Sequence, residues 1–147
     1  MKLIASAAVV LFMSIFMAYV SDVSPFEQQH TLGEITIIVI DEFGDVVIDE
    51  TLSFNDEDTL LSLLDEHYTI VYTSTAFSMG TGRILLEIGP VSTDFEKDFI
   101  EIRITGYLPK SNGNRVIMHD DLSPVGIDLI PLVDGNTYQF RYKKIGS

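Results

Sequence analysis

The residues of this 147-residue chain that could carry chemistry are three histidines, a scatter of paired acids and a set of aromatics. His30, His67 and His119 lie far apart, and none stands in an HxH or HExxH spacing. They read as surface or partly buried histidines and not as metal ligands. The acid pairs are Asp41/Glu42, Asp49/Glu50, Asp56/Glu57/Asp58 and Asp120/Asp121. Paired carboxylates can exchange protons with a substrate or bind calcium. None follows the calcium-loop spacing, so solvated charge at turns and at a helix start is the plainer reading. Ser78 has Ala76 and not Gly two places before it, so no nucleophile elbow is present. Gly80-Thr81-Gly82 lacks a third Gly and reads as a flexible loop, not a phosphate cradle. With no cysteine, thiol catalysis, zinc–thiolate centres, iron–sulfur clusters and disulfides are excluded. The expectation is a protein that is not an enzyme and has no metal site.

The aromatics are more suggestive. Tyr72, Phe77, Met79 and Tyr107 fall near expected strand ends or in a loop. The small residues of the loop 74–82 let backbone approach a ligand, while Phe77 and Met79 offer flat, polarizable surface. The expected small-molecule site is therefore this loop, with Tyr72 beside it and Tyr107 closing from a neighbouring strand end. The alternative is that Phe77 plugs the end of the sheet. Tyr138, Phe140 and Tyr142 alternate along the last expected strand. They could stack on a planar ligand, form a partner surface or fill a core that has no Trp.

Positioning these groups requires a fold, and the length suits one domain. A hydrophobic fraction of 46% is too high for a disordered chain. The 22 acids against 9 bases give a formal charge of −13. That argues against nucleic acid, which needs a basic surface, and against anionic lipid. The first residues form a unit of their own. Lys2 is the only charge before Asp22, and residues 3–20 are apolar apart from Ser6, Ser14 and Tyr19. A short positive start before an apolar run is the secretory-signal pattern, and the run is also long enough to span a bilayer. Residues 1–21 are read as a signal peptide or N-terminal membrane anchor, 22–33 as a flexible spacer and 34–147 as a single domain. The domain is expected outside the cytoplasm, touching membrane only through residues 3–20 if these are uncleaved.

From Glu34 onward short apolar runs alternate with turn residues. Residues 35–40 are β-branched at every position and predict a strand with both faces largely buried. Gly44 predicts a tight connection to a second strand at 46–52, making a hairpin. Asn55 or Asp56 is expected to cap a helix whose Leu60, Leu63 and Leu64 pack on a sheet. Later strands are expected at 69–73, 83–88, 99–104, 125–130 and 137–143, with a turn at Thr105-Gly106 and an excursion at 110–121. This order predicts an α+β fold: a β-grasp-like, mixed or antiparallel sheet with a hairpin, one short helix on one face and further strands.

The strings TLLSLLDEHYTIVYTSTAF, TDFEKDFIEIRITGYL and SPVGIDLIPLVDGNTYQFRY, taken in this order, resemble the transcobalamin-like C-terminal domain family found in exported bacterial proteins. The helix matches at Leu60, Leu61 and Leu64, the loop at Phe77, and the closing stretch at Gly126, Ile127, Leu132, Asp134, Gly135, Tyr138 and Phe140. The sequence departs from the family pattern at Ser78, at Thr105-Gly106 and at Phe99, where the family has Gly, Asn-Gly and Trp. In the animal cobalamin carriers this domain is the smaller of two, beside an α-helical barrel. The resemblance implies an extracytoplasmic binding or accessory module. The resemblance allows a planar, corrinoid-like ligand such as cobalamin, and it does not imply tight cobalamin binding by this domain alone, because in those carriers the helical barrel supplies the other half of the site. The alternative is a cell-envelope module whose only partner is another protein.

Overall fold

The computed structural model describes residues 25–29, 31–73, 82–94 and 96–146. The fold is α+β. Strands β1 (Gly33–Ile40) and β2 (Val46–Phe54) form the expected hairpin, closed at Gly44 with φ +80°. Along β1 the side chains of Ile35, Ile37 and Val39 are buried while Thr36, Ile38 and Ile40 are half-buried. The expected burial of both faces is thus met on one face only, because the other lies open on the sheet surface.

Helix α1 spans Leu60–His67 and buries Leu60, Leu63 and Leu64, the face its spacing predicts. Its cap is Thr59, not Asn55 or Asp56. The Thr59 hydroxyl accepts from Ser62 N at 3.1 Å, and Ser62 Oγ accepts from Thr59 N at 2.8 Å. Asn55 and Asp58 are spent on the preceding turn: Asn55 Oδ1 takes the Glu57 N–H and Asp58 Oδ2 takes the Asn55 N–H, each at 2.9 Å. Thr59→Ala leaves the Ser62 N–H without its side-chain partner and is expected to cost about 1 kcal/mol, read as a shift of the denaturant midpoint.

Three short strands follow or flank the helix: β3 (Ile70–Tyr72), β4 (Leu85–Ile88) and β5 (Val91–Ser92), an antiparallel sheet in that order. Strands β6 (Asp98–Pro109), β7 (Arg115–Leu122) and β8 (Thr137–Lys144) complete the larger sheet, ordered β2-β1-β8-β6-β7. Its one parallel pairing joins β1 to β8 at the centre, so the sheet is mixed. The helix, the small sheet and a 3-10 turn at Ile127–Leu129 contribute to one buried cluster with the large sheet, and Tyr138 and Phe140 are fully buried in it.

Three expectations in the second half are corrected. Thr105-Gly106 is no turn: Gly106 sits inside β6 at φ +133°, where a Cβ would stand 1.9 Å from Asn136 Oδ1. The excursion at 110–121 is a tight turn followed by β7, whose outer edge carries a bulge at Asp120, φ +56°, opposite the Ile104/Thr105 step. Residues 125–130 do not form a strand. Gly126 packs so closely on Arg83 that a Cβ would lie 2.3 Å from its carbonyl, and Ile127 N donates to that same carbonyl at 3.0 Å. The chain therefore wraps round Arg83 instead of extending.

Part of the stretch read as a spacer is tied down. Glu27 N donates to Pro109 O and Ser111 N to Pro25 O, each at 2.9 Å, and Phe26 packs against the core. The Gln28 side-chain oxygen takes the Leu132 N–H at 2.9 Å.

Candidate functional site

Phe77 and Met79 lie outside the described residues. The other two residues of the expected site are placed on different sheets. Tyr72 ends β3 and packs against the core, with the Arg83 guanidinium 5.1 Å from its ring centre. Tyr107 lies on β6 opposite Ile117, under the Arg115 guanidinium at 4.5 Å. No ring contact joins the two tyrosines among the described residues.

The two ends of the segment 74–81 are held at one point. Thr73 N donates to Ile84 O at 2.9 Å, and the Thr73 hydroxyl accepts from Ile84 N at 3.0 Å. Gly82, at φ +104°, lies against the backbone of Gly126, and Asp128 takes the Arg83 N–H. Arg83 is thereby gripped between the Tyr72 ring and the Asp128 carboxylate, whose Oδ2 lies 3.9 Å from Nε.

Beside this base runs a groove of about 230 Å³, lined among others by Ile84, Phe99, Glu101, Ile102, Leu122 and Val125. Its walls are apolar side chains left in solvent: Ile84 is 39% exposed, Phe99 40% and Leu122 56%. The floor is the edge of β6. Strand β7 pairs with β6 only from Arg103 to Pro109, and Ser123 N reaches back to Ile102 O at 2.8 Å. From Asp98 to Ile102 no strand pairs with β6 on that side among the described residues. Glu101 adds a carboxylate. Its Oε1 meets Arg103 Nη1 at 3.3 Å, while its Oε2 is buried without a hydrogen-bond partner. Arg141 stands opposite Glu101 on β8, and its Nε is buried without a partner too.

A second, larger cleft of about 430 Å³ is acidic, with Asp41, Glu42, Asp94, Asp98 and Tyr142 in its walls. The Tyr142 hydroxyl donates to Asp98 Oδ2, and this bond, with some desolvation, pushes the phenol up to about 12. Among the described residues no group of three His, Cys, Asp or Glu is placed to hold a metal ion.

Sequence reasoning passed over Ile84, Phe99 and Leu122. Phe99 and Glu101 stood in the alternating pattern of β6, which reads as an ordinary half-solvated strand. Only a missing neighbour turns that pattern into a groove. Against known proteins, no family model and no curated protein matches this chain.

Proposed function

We propose that this chain is an exported, non-enzymatic binding module, a β-grasp domain of the transcobalamin-like C-terminal kind, and that its ligand is an extended polypeptide segment. The β-grasp reading is supported by the order β2-β1-β8-β6, by the parallel pairing of β1 with β8, and by a helix following the first hairpin. The export reading rests on the apolar run at 3–20 behind Lys2.

The observation that carries the ligand class is the short stretch of β6 edge centred on Ile100, unpaired between the Asp98 N–Asp94 O and Ser123 N–Ile102 O hydrogen bonds and lying in an apolar groove. An unpaired strand edge presents N–H and C=O groups that another chain can complete, with side-chain pockets on either hand giving selectivity. The β7 edge contrasts with it: the bulge at Asp120 bends it and Asp121 Oδ2 takes the His119 N–H at 2.8 Å. The β7 edge is guarded against strand addition, and the β6 stretch at Ile100 is not. A planar cofactor is served less well: pockets for such ligands run to roughly 300–1,000 Å³ and are mostly apolar, whereas the apolar groove holds about 230 Å³ and the cleft of about 430 Å³ is lined by carboxylates.

The test is a random-peptide display selection on the full secreted chain. Selected peptides are expected to lose at least about tenfold in affinity on Leu122→Asp and on Phe99→Asp, with thermal midpoints near wild type. Peptides that bind these variants as well as wild type would remove the groove from consideration. A saturable absorbance change on titrating cobalamin or haem, unaffected by peptide, would move the ligand to a planar molecule.

A further inference from the structure

The tip of the β1–β2 hairpin presents a different kind of surface. Phe43 is 79% exposed, and Val46 and Val47, within five residues of it, are 57% and 38% exposed. Val47 is the extra residue where Ile40 pairs with Val46 and Val39 with Ile48. A lone exposed aromatic is ordinary, but this one stands on a turn whose backbone is braced by hydrogen bonds. Asp41 Oδ1 accepts from Phe43 N at 2.9 Å and from Asp45 N at 3.0 Å. Asp41 N donates to Asp45 O at 3.0 Å and Gly44 N to Asp41 O at 3.1 Å. The turn that lifts Phe43 into solvent is thus fixed before any partner arrives, which reduces the ordering cost of binding.

The charge around the tip is directional. On one flank the cleft holds Asp41, Glu42, Asp94 and Asp98. On the other, Arg141 and Lys143 join Asp41 and Glu42 in lining the hollow beside Gly44, so only the first flank is wholly acidic. We propose that this tip is a second docking element, in which Phe43 enters an apolar pocket on a partner protein whose rim carries Lys or Arg side chains facing the Glu42, Asp94 and Asp98 flank. The argument for that occupant is charge complementarity with a preformed aromatic anchor, the combination that concentrates binding energy at the centre of an interface. The acids speak against an anionic membrane, and a second copy of this chain, at −13, repels this flank.

The experiment uses the full secreted chain and a displayed library of small folded scaffolds with one randomised face. Binders selected on wild type are measured on Phe43→Ser, on the Glu42→Gln/Asp94→Asn pair and on Phe99→Asp. A binder class rich in Lys or Arg is expected. It should weaken at least about tenfold on Phe43→Ser, weaken severalfold on the acid-neutralised pair and with added salt, and be unaffected by Phe99→Asp. Phe43 is a surface residue, so an unchanged melting curve separates loss of binding from loss of fold. Three results overturn the proposal: no binder class depends on Phe43; zwitterionic lipid vesicles are bound through Phe43; or wild type self-associates and Phe43→Ser does not. If peptides still depend on Phe99 while nothing depends on Phe43, the groove assignment stands and this one falls.

Discussion

Gly106→Ala is expected to destabilise the domain by about 3 kcal/mol or more, one of the largest effects of any single methyl group in the molecule. Two costs add. At φ +133° an L side chain is strained, which is worth roughly 1–3 kcal/mol. The new methyl would also displace the Asn136 side chain, whose Oδ1 lies 1.9 Å from its ideal position. Asn136 is the one buried polar residue in the core among the described residues. Its amide bridges β6 and the segment before β8: Oδ1 takes the Tyr107 N–H at 3.1 Å, and Nδ2 donates to Tyr107 O at 2.8 Å and to the Tyr138 hydroxyl at 3.3 Å. That hydroxyl in turn donates to Pro131 O at 2.7 Å. Displacing the amide strands several buried groups, each costing roughly 1–3 kcal/mol. Asn136→Ala alone should cost about 2–4 kcal/mol by the same reasoning. The pair should cost less than the sum, because removing the amide makes room for the methyl. Urea denaturation of the four variants measures this. A Gly106→Ala midpoint equal to wild type would show that the amide can move aside freely.

Leu64→Ala is the second. Leu64 is fully buried on α1, in the same cluster as Leu60 and Leu63. The expected loss is about 2–5 kcal/mol, from lost transfer energy plus the cavity left behind. The upper part of that range is favoured because α1 has eight residues and lies on a sheet, so neither surface can relax far into the void. Leu61, half-buried on the same helix, is the internal control and should cost about 1 kcal/mol or less. Equal losses at the two positions, or a loss under about half a kcal/mol at Leu64, would mean that the helix does not use this face.

The hairpin and the helix face were readable because their signals are local: a β-branched run beside Gly44, and leucines at three- and four-residue spacing. The cap was misplaced because Asn55, Asp56, Asp58 and Thr59 all have capping side chains, and the choice is made by which of them the preceding turn consumes. Gly106 looked like a turn because its partner, Asn136, is distant in sequence and no local window joins them. Strand β7 looked irregular because edge strands carry charges and bulges, here Asp120 and Asp121, which break the period of two. At the site, Tyr72 and Tyr107 were chosen by type and by nearness to strand ends, yet strand ends adjacent in sequence order can belong to different sheets. The groove depends on where β7 stops pairing, and that is a property of register, not of composition.

The parallel pairing of β1 with β8 has a kinetic side. Thr36 to Ile40 hydrogen-bond along Thr137 to Arg141, about a hundred residues later in the chain. Loop closure over that distance must precede the central pairing, so the sheet forms slowly compared with helical domains of this size. A growing chain that has not yet made residues 137–144 has β1 with its hairpin partner β2, but nothing between β1 and β6. The sheet therefore stays open until residues 137–144 are made, and the last strand acts as the latch that closes it.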